Sequence, residues 1–230
     1  MTTAPPDGFP APTTPVSPPT PTVRFVTMGE AAPGQLAAEW ATRATSLDLY
    51  QLSAATLRGC MGVSLVGGCD QVFLSRTDAL TDFVRGGGRV LVNGHVRLPF
   101  LPGLGRWRRL DFRGPSDLRI SPVTPHPVWE GVDYDELLYR TGGSAAGATG
   151  DRLAETGVAG FYGRGYHGEL PPDATVLNGI GPHRLPIDIH YRLGDGEVLA
   201  HAGNDLTIFA DPDRSTRRLG ERLLDWLEGR

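Results

Sequence analysis

The sequence predicts an α/β fold: a mostly parallel β-sheet covered by helices and closed by a C-terminal β-hairpin. Three observations carry this reading. Short apolar runs alternate with helical spacing from Val23 to His95, and strands joined through helices pair in parallel. The stretch "PIDIHYRLGDGEVLAHAGND" holds two alternating runs around an aspartate–glycine turn and reads as a hairpin. Finally, "DRSTRRLGERLLDWLEG" places Leu219, Leu223, Trp226 and Leu227 on one side of a closing helix.

Taken in order, residues 1–22, "MTTAPPDGFPAPTTPVSPPTPT", are rich in proline, threonine and alanine. Such a segment buries too little apolar surface to offset its ordering entropy, so a disordered, polyproline-leaning tail is predicted. A ligand for a proline-binding module is the other reading. Residues 23–230 read as a single α/β domain. "VRFVTMG" is a first strand and "PGQLAAEWATRAT" a helix, spaced on Leu36, Trp40 and Ala44. "SLDLYQLS" alternates and reads as a strand, "AATLRGC" as a helical turn, and "MGVSLVGG" as a third strand. "SRTDALTDFVRGGG" is a helix, with Ser75 or Thr77 as N-cap and the glycines as its stop. "RVLVNGH" is the fourth strand. Residues 99–175 carry weaker signals: "PFLPGLGRWRRLDFRGPSDL" is loop-like, "HPVWEGVDYDELL" begins a helix, and "TGGSAAGATG" is a flexible stretch. "ATVLNGIG" is a further strand.

Composition narrows the function. The net charge is −4, which argues against nucleic acid or an anionic membrane as partner. Every basic side chain is arginine, which excludes Schiff-base and Walker-type lysine chemistry. Two cysteines, Cys60 and Cys69, make no disulfide framework and fit a reducing, cytoplasmic compartment. The first residues show no basic stretch followed by an apolar one, so a signal peptide is not expected, and no apolar run approaches transmembrane length.

Right-handed crossovers bring the strand ends to a common edge, where ligands of such sheets bind. That edge would carry Gly67, Gly68, Cys69, Asp70 and Gln71 after the third strand, and Asn93, Gly94 and His95 after the fourth. His95 suits a base or ligand at a strand end, or a histidine that only bonds the turn. Cys69 is a nucleophile if its thiol is acidified, and otherwise a small buried hydrophobe. Asp70 and Gln71 match sugar hydroxyls or cap the next segment. If the hairpin turn is Asp195-Gly196, Gly194 pairs with Glu197 and His190 stands opposite His201. With Asp188 these would offer two imidazoles and a carboxylate to zinc or another divalent metal, or an acid–base pair, or merely a polar face. "GRWRRLDFRG" mixes arginine and aromatics, as single-strand binders do, but in an acidic chain it reads as a solvated loop or a protein contact. "GFYGRGYHG" has phosphate-loop-like glycines without the strand–loop–helix context.

The succession "VSLVGG", "LTDFVRGGGRVLVNGH", "HPVWEGV" and "GEVLAHAGNDL" before a closing helix resembles the class I glutamine amidotransferase-like superfamily, in its non-amidotransferase, ThuA-like branch. The resemblance spans roughly residues 23–228 and implies a flavodoxin-like three-layer sandwich. It aligns Gly67 and Gly68 with the oxyanion region, His95 with the elbow of the nucleophilic cysteine, and His201 with the catalytic histidine. An amidotransferase would place glutamate two residues beyond that histidine. Here Gly203 stands there, followed by Asn204 and Asp205. Without an elbow thiol no glutamyl thioester can form, so glutaminase activity is not expected.

Two functions remain. One is a cleft built from His95, His201 and Asp205, with Asn93 and Asn204 beside them, that binds or transforms a small polar, sugar-like molecule. The other is a non-catalytic module on a degenerate scaffold, meeting a protein partner through the tail and the Trp107 loop, or a second copy of the chain through a sheet edge or helix face.

Overall fold

The computed structural model describes residues 22–29, 37–141 and 158–230. The predicted tail up to residue 21, Leu36 of the first helix and the glycine-rich stretch beyond Thr141 lie outside the described residues. Strand β1 (Val23–Thr27) is followed by helix α1 (Ala37–Arg43) and strand β2 (Ala44–Asp48). β2 is shorter than its alternation predicts, because the Asp48 carboxylate accepts from the Tyr50 amide at 2.8 Å and turns the chain into a 3-10 turn. Then come β3 (Gly62–Leu65), α2 (Gln71–Leu74), α3 (Ala79–Arg85) and β4 (Arg89–Asn93). The N-cap of α3 is Asp78, without a side-chain capping bond, rather than Ser75 or Thr77: Thr77, one residue earlier, accepts from Ala79 N–H at 3.3 Å, and Ser75 ends α2. α3 stops at Gly86, whose N–H donates to Asp82 O, and Gly87 then turns with φ +102°.

The middle of the chain is more ordered than its pattern suggests. Trp107–Arg109 is not a loop but strand β5, and β6 (Ile120–Pro122) follows. The predicted helix near "HPVWEGVDYDELL" is two separate 3-10 turns, Pro127–Trp129 and Tyr134–Leu137. Strands β7 (Tyr139–Thr141), β8 (Val158–Phe161), β9 (Gly165–His167), β10 (Thr175–Ile180), β11 (Leu185–Leu193) and β12 (Gly196–His201) precede α4 (Leu219–Leu227).

Eight strands form one sheet in the order β2-β1-β3-β4-β12-β11-β10-β6. Pairings from β2 through β4 to β12 are parallel, and those from β12 outward to β6 are antiparallel. The sheet is therefore mixed, parallel in one half only. β5 and β9, and β7 and β8, make two small antiparallel pairs. The hairpin forms, with a corrected register. Leu193 pairs with Gly196, so the turn residues are Gly194 and Asp195, one position earlier than the Asp-Gly reading. Gly194 has φ +65° and Asp195 is not in the positive-φ region, the pattern of a type II′ turn with glycine in its first position. His201 consequently faces Asp188, and His190 faces Leu199.

Alternation along each strand divides the core between the two faces. Val23, Phe25, Leu91 and Leu199 join one buried cluster with α4, while Val26, Val90, Val92, Val198 and Ala200 join another with Leu74, Leu80 and Val84. Full burial of each such side chain is worth about 2 kcal/mol. α4 buries Leu219, Leu223, Trp226 and Leu227, as its spacing predicts. Arg43 ties α1 to it through Asp225 at 2.5 Å and Glu228 at 2.7 Å. Among the described residues no helix is long and apolar enough to cross a membrane.

Candidate functional site

Three parallel strands end side by side. β3 runs into Gly67 and Gly68, β4 into Gly94 and His95, and β12 into Gly203, Asn204 and Asp205. Together with Ile208 these residues line a hollow of about 260 Å³. Gly94 N–H donates to His201 O at 3.0 Å, and Gly94 has φ +100°. A Cβ there would lie 2.9 Å from the Gly67 Cα, so glycine is required where the two strand ends cross.

The loop carrying His95 is held by Gln71. Its side-chain amide donates to His95 O at 2.9 Å, and its carbonyl accepts from the Arg97 and Leu98 amides at 2.7 and 2.9 Å. The His95 ring lies against Trp107, with centroids 4.3 Å apart, and the Arg97 guanidinium sits 4.3 Å from the same ring. Trp107 is fixed in turn by donating to Ala202 O at 3.0 Å. Partial burial lowers the His95 pKa, with further lowering from the nearby Arg97, His201 and Arg164 side chains. His95 is therefore a neutral imidazole at pH 7, exposed at the hollow.

Asp205 accepts from Gly67 N–H at 2.5 Å, which pins the β12 loop to the β3 loop. Burial raises its pKa against the opposing effects of that bond and of His201. Asn204 is exposed in the hollow, but its amide is already donating to Phe161 O at 2.6 Å. Asn93 does not reach the hollow. It is buried, donates to Leu65 O at 3.0 Å and accepts from Leu206 N–H at 3.1 Å, clamping β3, β4 and the β12 loop together.

His201 is the main departure from expectation. It is fully buried and does not line the hollow with His95. Its Nδ1 lies 2.6 Å from Asp188 Oδ1, and its Nε2 faces Tyr162 O at 3.2 Å. A carbonyl only accepts, so the ring is placed to donate from Nε2 to Tyr162 O, with Nδ1 and the Asp188 carboxylate joined by the second bond. The other Asp188 oxygen accepts from Tyr162 O–H at 2.8 Å and Asn178 N–H at 2.9 Å, while Trp129 donates to the Tyr162 hydroxyl at 3.1 Å. The carboxylate paired with His201 thus comes from the neighbouring strand rather than from position 203. A Cβ on Gly203 would fall 1.9 Å from Tyr162 O and 2.5 Å from His201 Nε2, so this backbone cannot accept the glutamate of an amidotransferase. Tyr162, Asn178 and Trp129 were missed from sequence, because the bonds joining them cross from one element to another.

The remaining candidates sort in the same way. Cys69 is buried among apolar residues, and burial pushes its thiol up to about 12, so it is no nucleophile at neutral pH. Asp70 caps α2, accepting from the Val72 and Phe73 amides at 3.0 Å. The proposed metal set does not assemble. Asp188 is committed to His201, His190 turns towards Glu197 at 3.5 Å, and among the described residues no three His, Cys, Asp or Glu side chains are placed to hold a metal ion. The hollow therefore gathers His95, Asp205, Asn204, Gly67 and Gly68, and excludes His201, Asn93, Cys69, Asp70, Gln71 and His190.

No protein-family model and no curated protein matches the sequence. Solved structures do match in fold. Cytoplasmic Protein STM3548 from Salmonella typhimurium aligns with a TM-score of 0.54 and 13% identity, over 89% of this chain and 98% of that one. Cytoplasmic Protein STM1381 from Salmonella typhimurium LT2 gives 0.52 and 10%, over 90% and 98%. The mmIFT52 N-terminal domain gives 0.51 and 14%, over 90% and 97%. At such identities the likeness is one of fold alone: this chain shares its α/β architecture with those three proteins.

Proposed function

We propose that this chain is an amidotransferase-like protein of the ThuA-like kind, with a flavodoxin-like three-layer arrangement and no glutaminase activity, that binds or transforms a small polar, sugar-like molecule at the strand-end hollow. The carrying observation is the convergence of three parallel strand ends on one polar recess holding His95 and Asp205. The recess suits a compact, hydroxyl-rich ligand better than an extended one. In this reading His95, neutral at pH 7, accepts a hydrogen bond from a ligand hydroxyl. Trp107 and Gln71 fix its ring and its loop. Asp205, anchored on Gly67, offers its second oxygen as acceptor or acid. His201 acts from below by holding the β12 end in place, not by touching ligand. Calorimetric titration with a panel of monosaccharides and polyols tests the reading. Heat of binding in the wild type should be lost in His95→Ala and weakened at least tenfold in Asp205→Asn; a wild type that binds none of the panel would refute it.

A second reading rests on a different observation. Tyr50, Val72 and Leu98 are exposed apolar side chains grouped around α2, linked through Asp70 and Gln71. Such a patch beside the hollow fits a protein-binding module or a contact between copies. Sedimentation of wild type and Tyr50→Ser separates the two: self-association lost in the variant, with no sugar binding in either, favours the module.

A further inference from the structure

A second recess, of about 440 Å³, lies away from the hollow and is lined by Pro122, Pro125, His126, Pro127, Trp129 and Tyr134, with Glu130 at its margin. The three prolines are exposed, and Trp129 is a fixed wall because its indole N–H is held by the Tyr162 hydroxyl. The sequence upstream of Thr22 contains eight prolines, one aromatic residue, Phe9, and a single charged side chain, Asp7. Extended proline-rich segments recognise this kind of surface. Their ring faces pack on aromatic and proline rings, and their free carbonyls accept from hydroxyls and indoles. Tyr134 keeps its hydroxyl as such a donor, since burial pushes its pKa up to about 12. Glu130 is the acid at the margin, and the segment brings little charge to repel it.

We propose that this recess is the docking site of the chain's own proline-rich segment, residues 9–21, laid against Trp129, Tyr134 and the Pro122–Pro127 turn. The reach is sufficient. His126 lies with its ring 5.8 Å from that of His190. His190 pairs with Leu199, Leu199 with Leu91, Leu91 with Ser64, and Ser64 with Phe25 of β1. Four strand spacings put the recess about 20–25 Å from β1, whereas the thirteen residues from Phe9 to Thr22 span about 40 Å when extended. That margin allows a path around α4, which is about 10 Å across. Because the segment is tethered, its effective concentration is of order 1 mM, so docking needs only an affinity of about 0.1–1 mM in the intermolecular sense.

The test uses the full chain with a photo-reactive benzoylphenylalanine in place of Phe9. After irradiation of the monomeric fraction, peptide mapping should find intramolecular adducts on residues 122–134. Their yield should fall at least fivefold in Tyr134→Ala and by less than that in Tyr134→Phe, which loses only the hydroxyl donor, keeps the ring and controls for folding. Adducts that join two copies would assign the recess to a neighbouring molecule's segment and overturn the proposal. So would adducts elsewhere, or a yield indifferent to Tyr134.

Discussion

Asp188 shows how much one side chain decides. It is fully buried, yet one oxygen serves His201 and the other serves Tyr162 and Asn178. Replacing it with alanine strands three polar groups away from water. Asp188→Ala is expected to lose about 3–5 kcal/mol of stability, read as a lower denaturant midpoint. His167 gives a second prediction at this scale. It is fully buried, and burial lowers its pKa to about 4 against the lesser opposing effect of its bond to Ala200 O. The unfolded chain therefore takes up this proton first as pH falls. The stabilisation is complete above about 6.5 and lost between 6.5 and 4, amounting to on the order of 3 kcal/mol. His126, lowered to about 4 mainly by burial, acts in the same window and direction. Stability measured from pH 7.5 to 4 should fall along this limb, and His167→Gln should flatten it.

At the scale of elements, the ends of strands matter more than their middles. Gly94 combines positive φ with a close crossing over Gly67. Gly94→Ala should cost about 1–3 kcal/mol and displace the His95 loop, seen together as a lower melting temperature and as lost binding at the hollow. The middles were legible in the sequence. The apolar runs around Phe25, Val63 and Leu91 marked β1, β3 and β4, and the spacing of Leu219, Leu223 and Trp226 marked α4. Strand ends were less so. His95, Gly67 and Gly68 were placed correctly at the sheet edge by crossover geometry, and Asp205 by resemblance. Whether a polar residue at such an end faces a hollow or stitches two loops depends on partners far away in sequence. Asn93 and Gln71 bond main-chain groups on other segments, and no periodicity encodes that. The hairpin register failed for a local reason: Gly194 and Gly196 flank Asp195 equally, and only the positive φ of Gly194 selects the turn. β5 was missed because Trp107–Arg109 is three residues long, and its partner, β9, lies more than fifty residues further on.

For the whole molecule, β12 is the seam. On one side it pairs in parallel with β4, and on the other it pairs antiparallel with β11, from which only a two-residue turn separates it. The two contacts differ greatly in loop-closure cost. Pulse-labelled hydrogen exchange during refolding should show β11 and β12 amides protected before those of β4; simultaneous protection would contradict this order. Both core clusters run through the seam, so far- and near-ultraviolet circular dichroism should report one coincident unfolding transition. The arrangement also has a consequence on the ribosome. About a hundred residues separate the end of β4 from the start of β12. At roughly 5–20 residues per second, a nascent chain carries the open flank of β4, rich in valine and leucine, for about 5–20 seconds before its natural neighbour is made. During that interval the half-built sheet is a template for any passing strand, and shielding by chaperones at that stage would govern how much protein reaches the native state.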